Sequence, residues 1–346
     1  MTIKFNRSDN SIDFGDYKLV FTDDGFVFNG VITARDGFLG DFASTVPTAP
    51  TAPSSPLYGT VSGYVSGGIT PTTANYNIIE NFPFSADASS SDVGDLFQSR
   101  YLSAGQSSDV SGYNAGGFLN PGLTDTIDKY PFSSGGNATD VGNLFQGRGA
   151  LSGQSSTVSG YSSGGLTVNT VDKFPFSTDT NASDVGNLTV SRAYLAGQSS
   201  ETEGYAAGGF APAVPAIYNN IDKFPFSSDA NATDVGDLTV ARYYVTGQSS
   251  TDFGYSSGGQ NPTLTPAVIN VVDKFSFTSV GNATDVGDLS AGRVGTGGQS
   301  STVSGYNTGG ALTSNVIDKF SFASDGNATD VGDITVGRYG VTGQQD

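Results

Sequence analysis

The chain has 346 residues with no Cys, His or Trp, a single Met, 48 Gly, and a net charge of −18 from 33 acidic and 15 basic residues. These absences exclude disulfide frameworks, thiolate nucleophiles, Cys- or His-based zinc sites and Ser-His-Asp triads. Glu occurs only at positions 80, 201 and 203, so nearly all the acid is Asp. Asp with abundant Gly, Ser, Thr, Val and Phe disfavours helix and favours strands and turns, and the chain reads as all-β.

In chain order, residues 1–42 alternate apolar and polar side chains around Asp23-Asp24-Gly25 and carry Phe5, Phe14, Phe21, Phe26, Phe28 and Phe38. This predicts a hairpin or small sheet. A piece of about 40 residues seldom stabilises itself, so it is expected to dock on a partner, on copies of itself or on the rest of the chain, as an anchor. Residues 43–56, ASTVPTAPTAPSSP, read as an extended linker. The opening MTIKFNRSDNSIDFG has no apolar signal-peptide core, and no stretch approaches about 18 apolar residues. The expectation is synthesis in the cytoplasm of the producing cell, without export or membrane insertion.

From residue 57 onward the sequence repeats. GYxxGG occurs six times, with Tyr at Tyr64, Tyr113, Tyr161, Tyr205, Tyr255 and Tyr306, spaced by 49, 48, 44, 50 and 51 residues. Each GYxxGG is followed by IDKFPF or a variant, then NATDVGDL, then an Arg leading to Gly-Gln-Ser-Ser. IDKFPF alternates apolar and polar residues, as in Ile221-Asp222-Lys223-Phe224, and its apolar set is expected on one face. The fourth block, DVGDLTVAR, has Val235, Leu238 and Val240 as its apolar positions. Four short strands in about 50 residues, repeated six times, predict a six-bladed β-propeller over 57–346. The first repeat lacks a preceding Arg…GQSS strand, whereas Arg338-Tyr339-Gly340-Val341-Thr342-Gly343-Gln344 has no repeat after it. The C-terminal strand is therefore expected to become the innermost strand of blade one and to close the ring.

The basic residues are accounted for by the repeat. Four lie at Lys4, Arg7, Lys18 and Arg35; the other eleven are Arg100, Arg148, Arg192, Arg242, Arg293, Arg338, Lys129, Lys173, Lys223, Lys274 and Lys319. None remains for a basic patch, so nucleic acid is not an expected partner. A residue present in every blade serves the fold, and each Arg is expected to satisfy backbone carbonyls or pair with a neighbouring blade's Asp; an inward-pointing anion-binding ring is the rival reading. Gln106, Gln154, Gln198, Gln248, Gln299 and Gln344 are likewise expected to bridge blades. The Asp229, Asn231, Thr233, Asp234 loop fits Asx turns better than a calcium loop, and neither metal nor cofactor is expected. The NAT and NAS triplets at Asn137, Asn181, Asn231, Asn282 and Asn327 match glycosylation sequons but read as repeat sequence. Acids off the repeat pattern, Glu201, Glu203, Asp109, Asp125 and Asp252, do not suggest a converging catalytic pair.

Individuality lies between GYxxGG and IDKF, where the segments differ in length and content. Variable loops on an invariant scaffold are where binding is placed. Tyr76, Phe118, Phe210, Tyr218 and Asn261 are the candidate ligand-binding residues, on an uncharged aromatic face suited to glycans or a protein. The Gly-Gly after a Tyr-containing strand, the apolar-x-x-aromatic third strand and an Arg closing the fourth together resemble the kelch motif. The departure is the missing Trp of strand four, whose volume Leu238, Ile334 and Val336 are expected to fill. The blades are also similar to repeats in virion proteins of marine tailed bacteriophages. That resemblance implies a non-enzymatic virion appendage, a tail or head fibre, spike or decoration protein. Residues 1–42 would bind other virion proteins or self-associate as a homo-oligomer, and the propeller would bind a host-surface glycan or protein. The alternatives are a cytoplasmic kelch-type adaptor and a carbohydrate-active propeller enzyme.

Overall fold

A computed structural model describes the backbone of residues 4–6, 11–14, 17–22 and 25–28, and residues 59–346 apart from 73–74 and 312–313. The chain forms two compact units, 1–50 and 51–346. In the first, Lys4–Asn6, Ser11–Phe14, Tyr17–Thr22 and Gly25–Phe28 make a four-stranded antiparallel meander in chain order. Asp23-Asp24 and the 43–56 linker lie outside the described residues.

The second unit is a six-bladed β-propeller, each blade a four-stranded antiparallel sheet. From the axis outward, blade 2 consists of Ala104–Ser107, Ser111–Ala115, Thr126–Pro131 and Thr139–Asn143. The GQSS block is thus the innermost strand and DVG the outermost. Blade 1 is assembled from both ends of the unit: Thr342–Gln345 pairs antiparallel with Ser62–Ser66, with Gln344 opposite Tyr64. Main-chain bonds from Gly59 to Ser300 and from Thr60 to Asp346 complete the seam. The ring closes as the orphan C-terminal strand predicts.

Two expectations are corrected. The apolar residues of IDKF do not share a face. Ile221 packs in a cluster with Leu238 and with Phe275 of blade 5, while Phe224 packs with Tyr161 and Leu188 of blade 3. Each propeller sheet is covered on both sides by its neighbours, so both faces of the strand are buried and a one-face amphipathic pattern does not apply. The repeat Arg does not close strand four. That strand ends at Asp237 and Arg242 lies in the connection leading to blade 5, although Leu238 and Ile334 are buried in the expected volume, with Val336 half-buried.

Glycine placement follows from close approach. Gly112 lies opposite Tyr130 in the register, and a Cβ there would collide with the Tyr130 ring; Gly63, Gly160, Gly204, Gly254 and Gly305 stand in the same relation to the Phe of the third strand. This explains why GY and KF travel together. At the axis, a Cβ on Gly105, Gly153, Gly197, Gly247, Gly298 or Gly343 would overlap the preceding blade's glycine carbonyl. The innermost strands therefore meet backbone to backbone.

Candidate functional site

The repeated polar residues are consumed by blade-to-blade contacts. Arg100, Arg148, Arg192, Arg242 and Arg293 pair with Asp128, Asp172, Asp222, Asp273 and Asp318 on the third strand of the following blade, the first four at 2.8, 2.8, 2.9 and 3.0 Å. Arg338 crosses the seam to Glu80 at 2.6 Å. All six Arg side chains are at most 4% exposed, which excludes an inward-pointing arginine ring. Each carboxylate also accepts an N–H from the preceding blade's turn, for example Phe97 to Asp128 and Thr239 to Asp273. Burial pushes the Asp128 carboxyl up to about 6 against the opposing charge of Arg100. Burial acts the same way on Glu80, but there Arg338, Ser90 and Thr335 outweigh it and hold the carboxyl below its ordinary value.

The six inner-strand amides bridge blades as expected. Gln106 donates to Tyr161 O, Gln154 to Tyr205 O, Gln198 to Tyr255 O, Gln248 to Tyr306 O, Gln299 to Tyr64 O and Gln344 to Tyr113 O, at 2.8–3.0 Å. At the rim, Asn137, Asn181, Asn231, Asn282 and Asn327 accept the backbone N–H of Asp95, Asn143, Asn187, Asp237 and Asp288, so the sequon asparagines clasp adjacent blades. Asp234 accepts from Gly236 N, an Asx turn, and Asp229 pairs with Lys173. Every Lys and Arg side chain of residues 59–346 is ion-paired. Among the described residues, no three acidic side chains gather as a metal site. Glu201, Asp109 and Asp252 lie in the hairpins between the first and second strands, and Glu203 pairs with Lys223.

The variable loops and the Arg-bearing connections lie on one face of the disc, because both leave the same ends of the antiparallel strands. They are tied together by bridges between Tyr101 and Phe118, Ala193 and Phe210, Tyr243 and Gln260, and Ile69 and Tyr339. This arrangement places the predicted residues unevenly. Phe118 lies over Gly149 and stacks on Tyr101, with centroids 5.2 Å apart and planes at 22°. Phe210 meets Tyr243 at 5.3 Å. Tyr76 lies beside the Arg338 guanidinium at 5.8 Å. Tyr218 bonds Gly209 and Arg242 through its backbone. Asn261 is buried and organises its own loop, donating to Ala241 O and accepting from Thr263. These five residues lie in the loops of blades 1, 2, 4 and 5, with Phe210 and Tyr218 in the same loop.

What does converge are residues one and two places after the repeat Arg, which sequence reasoning passed over. The second residue sits at the axis in every blade. Leu102, Ala150, Tyr194, Tyr244, Gly295 and Gly340 have φ of 52°, 60°, 59°, 58°, 64° and 66°. Head-to-tail bonds run around the axis, from Leu102 N to Gly340 O, Ala150 N to Leu102 O, Tyr194 N to Ala150 O, Tyr244 N to Tyr194 O and Gly340 N to Gly295 O. The left-handed backbone turns each N–H and C=O along the ring. Glycine serves this conformation in two blades, yet two adjacent blades carry tyrosine, at a cost of about 1–2 kcal/mol each. The Tyr194 and Tyr244 rings lie 4.2 Å apart, with Tyr243 5.3 Å from Tyr244. Burial raises the Tyr244 hydroxyl far above its ordinary value, reinforced by Tyr194, which hydrogen-bonds it, and by Tyr243 and Tyr339. Burial also raises Tyr101, reinforced by Tyr339 and Tyr194. Tyrosines thus stand in the connections on two sides of the axis, Tyr101 and Tyr339 on one and Tyr194, Tyr243 and Tyr244 on the other. Beneath them is an axial cavity of about 150 Å³, whose mouth includes Leu102, Ala150, Tyr194, Tyr244 and Gly295.

The sequence matches no protein-family model and no curated protein. The assignment as a six-bladed β-propeller rests on the sheet order and the closing strand.

Proposed function

We propose that the chain is a non-catalytic binding propeller borne on the outside of a tailed-phage particle, with residues 1–42 as its attachment and the loop face turned to the host surface. The observation that carries this reading is the division of labour within the propeller. The repeat's Arg, Gln and Asn side chains are occupied between blades and its Lys side chains are ion-paired, whereas loop length, loop content and the aromatic residues vary on one face.

The polarity of the disc supports it. The chain enters the propeller at Gly59, beside Ser300 and Asp346, on the face of the hairpins between first and second strands. That face is opposite the variable loops. It also presents Val61, Val110, Val158 and Val303, 59–68% exposed, from four consecutive blades. Exposed apolar side chains in a row suit contact with another protein surface. The resemblance of the repeat sequence to the kelch motif and to phage virion repeats is the further ground for this reading.

Two experiments test it. Deleting residues 1–56 should abolish incorporation into particles; unchanged incorporation removes the anchor assignment. Exchanging all six variable loops should abolish attachment to host cells, and attachment that survives the exchange removes the recognition face.

A further inference from the structure

We propose that the axial mouth on the loop face is a slot that binds a single neutral pyranose ring, as the end or one unit of a glycan chain. This deepens the recognition reading above and rests on it. The slot is legible in the six triplets that begin at the repeat Arg: RYL, RGA, RAY, RYY, RVG and RYG. Taken around the ring, they place Tyr339 and Tyr101 in neighbouring connections on one side of the axis and Tyr194, Tyr243 and Tyr244 on the other. Between these walls stand Gly149-Ala150 at one end and Val294-Gly295 at the other. Phe118, stacked on Tyr101, and Phe210, against Tyr243, back the two walls.

The chemistry selects the ligand class. A tyrosine offers a flat apolar ring and a hydroxyl that both donates and accepts, so tyrosines around the mouth match a pyranose's C–H faces and ring of hydroxyls. No charged side chain lines the axial cavity among the described residues. The net charge of −18 and the pairing of every Lys and Arg of the propeller leave no propeller cation to receive a phosphate or carboxylate. Cavities for drug-sized ligands run to about 300–1,000 Å³, so the axial cavity of about 150 Å³, lined at its mouth by Tyr194 and Tyr244, suits one ring. The ring pairing is a second sign. Leu102, Ala150, Tyr194 and Tyr244 all hold the left-handed conformation at this ring position, and the two tyrosines alone bring aromatic rings to it, in adjacent blades and 4.2 Å apart.

The test uses the full chain with methyl α-glucoside, methyl α-mannoside, methyl β-galactoside and N-acetylglucosamine as neutral probes, and N-acetylneuraminate and glucose 6-phosphate as anionic ones. Binding is read by calorimetry and by saturation-transfer NMR. At least one neutral probe should bind with Kd on the order of 1 mM, the range a ligand of this size reaches, and the anionic probes should not bind. The Tyr194→Gly/Tyr244→Gly variant, which copies the backbone of blades carrying Gly295 and Gly340, should bind at least tenfold more weakly while its far-UV dichroism is unchanged. Tyr194→Leu/Tyr244→Leu, which copies Leu102, should weaken binding equally and guards against a folding defect. Val280→Ala, at an exposed position between the third and fourth strands of blade 5, should leave binding intact. Failure of every neutral probe, equal binding of the anionic ones, or full binding by both double variants overturns the slot. If host attachment then still depends on the exchanged loops, the wider recognition reading stands without it; if not, both fall.

Discussion

Replacing Gly153 by Ala tests the backbone contact that holds the propeller together at its axis. Gly153 has no left-handed φ, so alanine meets no conformational penalty of its own. Its Cβ would instead fall inside the Gly105 carbonyl, with the carbonyl carbon at 2.8 Å and the amide nitrogen at 2.9 Å. Both are backbone atoms of a strand fixed by its pairing to Ser111–Ala115 and by the Gln106 amide, so neither moves alone. Overpacking of this kind costs about 1–3 kcal/mol, and the reduced freedom of the unfolded chain returns about 0.4–1 kcal/mol. A net loss of about 1–2 kcal/mol lowers Tm by about 2–6 °C in a unit of this size. Gly326→Ala is the control: nothing lies within 4 Å of its Cβ, and the same unfolded-state effect should leave Tm unchanged or slightly raised. Gly153→Ala/Gly298→Ala, at sites on opposite sides of the ring that share no glycine neighbour, should lower Tm by about the sum of the two single effects. Scanning calorimetry decides it. A Gly153→Ala protein melting with wild type, or with the Gly326→Ala control, would show that the ring widens freely and that the axial glycines are not there for close approach.

Removal of residues 338–346 takes away the innermost strand of blade 1, the Arg338–Glu80 pair and the Gln344 bridge to Tyr113. The truncated protein should lose cooperative unfolding, and a calorimetric transition as sharp and as hot as that of the full chain would sink the closure. Asp273→Ala strands the buried Arg242 guanidinium and should cost about 3–5 kcal/mol in urea unfolding, whereas Arg242→Met/Asp273→Leu should cost much less; equal losses in the two would refute the pairing argument. The Asp128 carboxyl, at about 6 in the fold against about 3.9 unfolded, binds its proton more tightly when folded. Its contribution to stability is therefore full below about pH 4 and is lost as the pH rises through 6. Asp128→Asn should make the slope of stability against pH between 4 and 6 more positive than in wild type, and parallel slopes would refute the shift.

Much of the fold was legible because each blade must solve the same packing problem with nearly the same residues. Spacing of GYxxGG counts the blades, and the unmatched Arg338–Gln344 segment announces the closure. The structural use of the Arg and Gln residues follows from their presence in every repeat. Two things were not legible. Alternation in IDKF does not say that a blade is buried on both faces, so Ile221 and Phe224 were assigned to one. The tyrosines around the axis are not legible because Tyr101, Tyr194, Tyr244 and Tyr339 are separated by up to 238 residues in sequence, and because the left-handed turn at Tyr194 and Tyr244 leaves no mark where the residue is not glycine. Gly295 and Gly340 are the available signal, since they mark the left-handed position that the other four blades fill with Leu102, Ala150, Tyr194 and Tyr244.

The seam carries the same lesson in a different residue. Five blades place Asp opposite the repeat Arg, and the blade whose innermost strand comes from the other end of the unit places Glu80 instead. The longer carboxylate accepts from Arg338, from Ser90 and from both the backbone and the hydroxyl of Thr335, gathering residues from the beginning and the end of the propeller on one group. A near-perfect repeat cannot specify where it closes, since every blade interface is equivalent to the next. A substitution that makes one interface unlike the others can, and Glu80 stands at the interface that joins the longest chain separation. Departures from the repeat thus gather at two places in this molecule: at the seam, where the ring closes on Glu80, and at the axial mouth, where Tyr194 and Tyr244 replace the glycine of Gly295 and Gly340.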